Sequence, residues 1–176
     1  MKKPLCRWQL AGFLFTSAAG TLLHFLYDWS GQSILIAPFS GVNESIWEHM
    51  KLLYFPMLVF AVIESIYWKE KPKNFWCMKL LGFLFGLLLI PALYYTYTGA
   101  LGVFRDWVNI SIFFLSAGAA YVLECHGMKH GKGCCISSGA AVTVMALIGL
   151  AFVLWTFRPP LLPLFQDPVS RGYGIG

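Results

Sequence analysis

Charge is what this sequence has least of. Only 12% of its 176 residues are Asp, Glu, Lys or Arg, against 58% from the apolar and aromatic set, and the mean hydropathy is +0.66. A soluble domain carries about 25% charged residues. Half of that leaves too little polar surface to cover a water-exposed globule, which excludes an ordinary soluble enzyme and a disordered chain. Cysteine is also sparse, and an odd count of 5 does not make a complete disulfide framework. Phosphate-loop, GxSxG and dinucleotide-binding glycine signatures are missing, so ATP hydrolysis and soluble-type serine hydrolysis have no support. No useful strand-period alternation exists, which argues against a membrane β-barrel.

What is there is long apolar runs. A membrane helix needs about 20 mainly apolar residues, and the stretches at about 8–27, 46–68, 75–97, 107–123 and 136–157 qualify. The expectation is one all-α domain, a polytopic transmembrane bundle of five spans, or six if the tail or the first loop re-enters. Pro56 and Pro91 fall inside spans, where each removes one backbone hydrogen bond and favours a kink. The first run has a basic start and the small residues Ser17, Ala18 and Ala19, like a signal peptide. Its apolar stretch continues through Leu22, Leu23, Phe25 and Leu26, so an uncleaved helix is expected.

The net charge of +5 does not point to nucleic acid, because the basic residues sit between apolar runs. With the N-terminus inside, nine of the 13 Lys and Arg are cytoplasmic and four are outside. This favours a cytoplasmic N-terminus and an outer C-terminus. Cys6, Cys77, Cys125, Cys134 and Cys135 then all lie on the reducing side, where thiols are expected. Gly12, Thr16 and Gly20, Gly82 and Gly86, and the run Ser116–Ala120 are close-packing faces. They suit a bundle, a homo-oligomer or a larger membrane complex alike, and the bilayer is the expected partner in each case.

Ionisable groups near hydrocarbon mark candidate sites. His24 and Asp28 are four apart and share a face of the first helix. Asn43 is a good N-cap for the second helix, with Glu44 in its first turn. Glu44, Trp47, Glu48 and Lys51 then make one stripe, with His49 to the side. Both sets reach the same outer end. The bland reading is a cap, a surface carboxylate and a Glu48–Lys51 pair. The sharper ones are a cation or divalent-metal site using His24, Asp28, Glu44, Glu48 or His49, and a proton relay or solute pocket of a transporter.

A second grouping, Cys125, His126, His130, Cys134 and Cys135, has zinc or copper donors at no standard spacing, and a basic glycine-rich loop explains it better. Glu64 and Glu124 approach the inner face and are expected to snorkel. The tail at 158–176 holds Pro159, Pro160, Pro163 and Pro168 among apolar residues. It is expected to pack over the outer face, with Arg158 meeting Glu44 or Asp28.

Three stretches occur together: HFLYDWSG (24–31), VNESIWEHMKL (42–52) and TFRPPLLPLFQDP (156–168). As a set they resemble an uncharacterised domain-of-unknown-function family of small multi-pass bacterial membrane proteins. The resemblance implies a bacterial cytoplasmic membrane and carries over no site residue. Three readings follow. One is a transporter or transporter subunit, with Glu48 and His24 on the solute, Asp28 and Glu44 tuning charge, and Pro56 permitting movement. Another is a metal-dependent hydrolase with His24, Asp28 and Glu48 on the metal. The last is a structural or sensory subunit.

Overall fold

The computed structural model describes residues 2–103, 105–130 and 136–175. Among them the chain forms α1 (Lys2–Trp29), α2 (Ile46–Tyr67), α3 (Phe75–Leu101), α4 (Asp106–His130), α5 (Ser138–Phe157) and a 3-10 turn at Pro163–Phe165. All five α-helices are long and apolar enough to cross a membrane. The chain is all-helical there, with five spans and no re-entrant sixth helix.

Local chemistry sets the helix ends. Ser45, not Asn43, is the N-cap of α2, and its hydroxyl accepts the Glu48 N–H at 3.4 Å. Asn43 turns the chain just ahead of the helix by accepting the Ser45 N–H at 2.9 Å. This two-residue shift leaves Glu44 outside the helix. Glu44 and Glu48 therefore do not share a helical stripe. Ser137 caps α5 in the same manner as Ser45, accepting the Ala140 N–H at 3.2 Å. α3 stops at Gly102, whose φ of 64° lets its N–H reach back to the Thr98 carbonyl at 2.8 Å. Asp106 opens α4, where a carboxylate suits the helix dipole. α2 and α3 run unbroken through Pro56 and Pro91.

α2 is the spine of the bundle. Of its most apolar window, 56% is buried, against 22% for α1 and for α5. α1 packs on α2 and α4, α5 packs on α3 and α2, and α3 lies along α4. α1 and α5 are thus opposite flanks. They leave Leu10, Leu14, Leu22, Leu147, Leu150 and Leu154 exposed as lipid-facing surface. The small residues serve this bundle internally. A Cβ on Gly12 would strike Phe60 and Tyr121, one on Gly86 would press on Leu53 and Ala120, and Gly82 lies flush against Glu124.

The segment between α1 and α2 folds back on the helix it leaves. The Ser40 hydroxyl accepts the Tyr27 N–H at 2.9 Å and donates to the Leu23 carbonyl, and Gly41 N–H also reaches that carbonyl at 3.4 Å. The tail is ordered against the start of α2. Phe165 is buried between Trp47, at a ring-centroid distance of 4.7 Å, and Trp155, at 5.6 Å. Asp167 holds the returning chain by accepting from the Val169 N–H at 2.8 Å and the Ser170 hydroxyl at 2.7 Å. Asn43 Nδ2 donates to the Gly174 carbonyl at 3.0 Å, which ties the tail to the entry of α2.

Candidate functional site

Two polar groupings form where α1 ends, α2 begins and the tail returns. In the first, Glu44 stands between two histidines. Its Oε1 is 3.6 Å from His24 Nε2 and its Oε2 is 3.5 Å from His49 Nε2. The two imidazole rings are 5.6 Å apart, and all three side chains are partly exposed, Glu44 by 44%. His49 Nδ1 lies 2.9 Å from the Ser45 carbonyl, an acceptor only, so Nδ1 carries hydrogen. In the neutral ring Nε2 is then a lone pair aimed at a carboxylate. A second proton, or a cation carrying N–H groups, converts that contact into an attractive one.

Beside this trio lies a cavity of about 570 Å³ walled by α1, the start of α2, α4 and the tail. His24, Glu44 and His49 contribute to its wall, with Asp106 and Asn109 from α4, Val169 from the tail and the aromatic faces of Phe25, Phe113 and Phe114. Among the described residues no Lys or Arg lines it. Tyr97 fixes Asn109 by donating to its Oδ1 at 2.7 Å. Asp106 and Asn109 are components that the sequence reading did not select. The available signal was their i,i+3 spacing at the start of a span.

The second grouping is closed. Glu48 and Lys51 are buried, at 3% and 0% side-chain exposure, and their charged atoms are 2.5 Å apart. Lys51 Nζ also donates to the Ala37 carbonyl at 2.8 Å and to Thr156 Oγ1 at 3.0 Å, so its three hydrogens are all placed. Glu48 accepts the Val42 N–H at 3.1 Å. This pair staples the first loop and the end of α5 to α2. The i,i+3 pair of Glu48 and Lys51 is thus present, and it is buried. Glu48 points away from Glu44 and His49 because it occupies the helix while Glu44 precedes it.

The other expected members sit apart. Asp28 is exposed and joins none of these ion pairs. Arg158 caps α5 and is exposed; Glu44 is met by the histidines, not by Arg158. Among the described residues no three His, Cys, Asp or Glu side chains are placed to hold a metal ion, so His24, Asp28 and Glu48 are not assembled as a ligand set.

At the opposite end of the bundle, Glu64 and Glu124 do not snorkel. Both are completely buried and meet Lys79, whose Nζ is 2.5 Å from Glu64 Oε2 and 2.6 Å from Glu124 Oε2. Gln9 Nε2 donates to Glu64 Oε1 at 2.8 Å. Four helices thus supply one residue each. In the sequence Lys79 counts among the cytoplasmic-side charges, and its place one turn inside the span at about 75–97 was the clue to its burial.

Of the cysteine–histidine grouping, Cys134 and Cys135 lie outside the described residues, as do Gly131, Lys132 and Gly133. The Cys6 side chain is likewise outside them. His126 and His130 stack at 4.1 Å between ring centroids. The expectation of reduced thiols is corrected at Cys77, which is disulfide-bonded.

Five apolar helices with polar clusters at both ends define a multi-pass helical membrane protein. The chain belongs to the Family of unknown function (DUF6512), whose model matches residues 1–175. Comparison with curated proteins and with solved structures finds no match.

Proposed function

We propose that the protein is a small integral membrane transporter, or a transporter subunit, that takes a cationic solute at the cavity beside His24, Glu44 and His49. In this reading that cavity faces the outer side of a bacterial cytoplasmic membrane and the N-terminus is cytoplasmic. The observation that carries the reading is the charge of the cavity wall. It presents the Glu44 and Asp106 carboxylates, two imidazoles and three phenyl rings, with no Lys or Arg among the described residues to balance them. Carboxylates and aromatic faces stabilise a cation in a partly dehydrated space. The volume of about 570 Å³ suits a small organic ammonium or a hydrated ion better than a bare one. Glu44, His24 and His49 hold the charge, Asp106 adds field, and the Glu48–Lys51 staple keeps the entry of α2 rigid.

Concentration jumps of sodium, potassium, ammonium and tetramethylammonium over reconstituted protein on a supported membrane test this. At least one is expected to give a transient current that Glu44→Gln abolishes and Glu70→Gln, at an exposed loop position, leaves intact. No current from any of the four, with no cation-dependent rise in Tm, would sink the reading.

Orientation rests on the lysine bias and is tested separately. A cysteine placed at Lys71 is expected to react with an impermeant maleimide only after cells are permeabilised. Ready labelling of intact cells reverses the topology. The disulfide at Cys77 pulls the other way, because cytosolic disulfides are rare.

A further inference from the structure

The junction of Gln9, Glu64, Lys79 and Glu124 has a charge count that does not close. One ammonium faces two carboxylates, and all three groups are at most 1% exposed. Ionised throughout, the cluster would bury a net negative charge between four helices, which is strongly unfavourable unless a further positive charge joins it. Among the described residues no further cation pairs with these carboxylates. α1 offers the neutral Gln9 and Thr16, and its nearest cation in sequence, Arg7, is exposed. α4 offers Tyr121, whose hydroxyl is engaged with Thr16 at 2.8 Å. Cys125 turns toward the separate Leu5–Phe75–Met128 group, and α5 contains no titratable residue.

The hydrogen bonds do not close either. Lys79 donates a hydrogen to Glu124 Oε2 and forms an ion pair with Glu64 Oε2, and its Nζ lies 5.6 Å from the Phe75 ring centroid and 5.3 Å from that of Tyr121. Glu64 is met at both oxygens, by Gln9 and by Lys79. Glu124 is met at Oε2 only. Its Oε1, Gln9 Oε1 and Glu64 Oε2 are buried oxygens without a hydrogen-bond donor, and Glu64 Oε2 has the Lys79 ammonium 2.5 Å away as an ion pair. One positive charge is missing, and Glu124 Oε1 lacks a donor. A single proton supplies both.

We propose that this junction is a proton-binding site and that Glu124 holds the proton, at Oε1. Glu64, with the Gln9 hydrogen bond at one oxygen and the Lys79 ammonium paired to the other, is the ionised partner of Lys79. The arrangement is prepared by Gly82, since a Cβ at that position would fall on Glu124 Oε1 and Cγ. Binding is a plain protonation of the Glu124 carboxylate from solvent, and release returns the proton. Release leaves an uncompensated charge where α1, α2, α3 and α4 meet, so proton occupancy and the packing of those helices are linked. The site is independent of the cation cavity at the other end and does not rest on the transport reading.

Infrared spectra of the full chain in lipid nanodiscs, recorded near neutral pH in H2O and D2O, test the proposal. The expected result is a carboxylic-acid carbonyl band that shifts in D2O and is lost in Glu124→Gln. Glu64→Gln should lose it too, because Lys79 then faces one carboxylate and the count closes without a proton. Lys79→Met should strengthen it, since both acids then stay protonated. Glu124→Gln mimics the protonated form, so its Tm should fall less than that of the wild type as pH is raised above neutral. Should Glu124→Gln fail to fold, the wild-type band and its change in Glu64→Gln carry the test. A wild-type protein without the band overturns the proposal. So does a band that survives in folded Glu124→Gln, or a Tm that rises with sodium or potassium at this cluster and loses that rise in Glu64→Gln, which assigns the missing charge to a metal cation.

Discussion

Glutamate, lysine or histidine, and a neutral amide gather at both ends of this bundle, yet the two ends behave differently. At the tail-side end Glu44 is 44% exposed, reaches two histidines at 3.5 and 3.6 Å, and borders a cavity. At the other end Glu64 and Glu124 are fully buried and reach Lys79 at 2.5 and 2.6 Å. The contrast is one of depth and saturation. Glu44 precedes its helix and sits where water arrives, so it keeps capacity for an incoming charge. Glu64 and Glu124 lie inside spans, so each must be paired or neutral. The Glu48–Lys51 staple belongs with the second kind although it lies only one turn from the first. Being inside the helix, not merely near it, decides the difference.

Substitutions can break this contrast. The largest expected effect is at Lys51. Lys51→Met leaves Glu48 buried and unpaired and should cost about 3–5 kcal/mol, read as a large fall in Tm in detergent. The double change Glu48→Gln, Lys51→Met should recover much of it, because no lone charge then remains. Recovery that is absent would mean the staple holds through packing and not through charge.

Next is Phe165→Ala, which empties the wedge between Trp47 and Trp155 and should cost about 3 kcal/mol, at the low end for a buried phenylalanine. An unchanged Tm would show that the tail is not part of the folded unit. Gly82→Ala comes third, at about 1–3 kcal/mol, since the added methyl presses on Glu124. Pairing it with Glu124→Ala should remove most of that cost. The smallest effect on stability is expected at Glu44→Gln. A partly exposed group of this kind should change stability by about 0.5 kcal/mol or less, while the cation-evoked current is lost. If Glu44→Gln unfolds the protein instead, the two ends are alike and the contrast collapses.

Much of the fold was legible in advance. Apolar runs of span length placed all five helices, with boundaries that moved by up to about two helical turns where polar ends extended them, as α4 does to His130. The site was legible only in part. Of the expected cluster, His24, Glu44 and His49 lie near one another, while Glu48 pairs with Lys51 and Asp28 is exposed. The reason is a cap: a start at Asn43 puts Glu44 and Glu48 on one stripe, whereas a start at Ser45 separates them. Asp106 and Asn109 were passed over because their i,i+3 spacing at the start of a span is a weak signal that ordinary helix starts share.

By itself the sequence determined that the chain is a multi-pass helical bundle, because hydrocarbon forces every backbone group in a span to bond within its own helix, and that constraint is written in run lengths. It also determined that small residues would sit at helix contacts. Which polar residues meet was decided only in three dimensions. Gln9, Glu64, Lys79 and Glu124 are spread over four helices, and Lys51 finds Thr156 from 105 positions away. Such pairings depend on helix rotation and neighbour choice, which follow from packing across the whole bundle and leave no local trace in the chain.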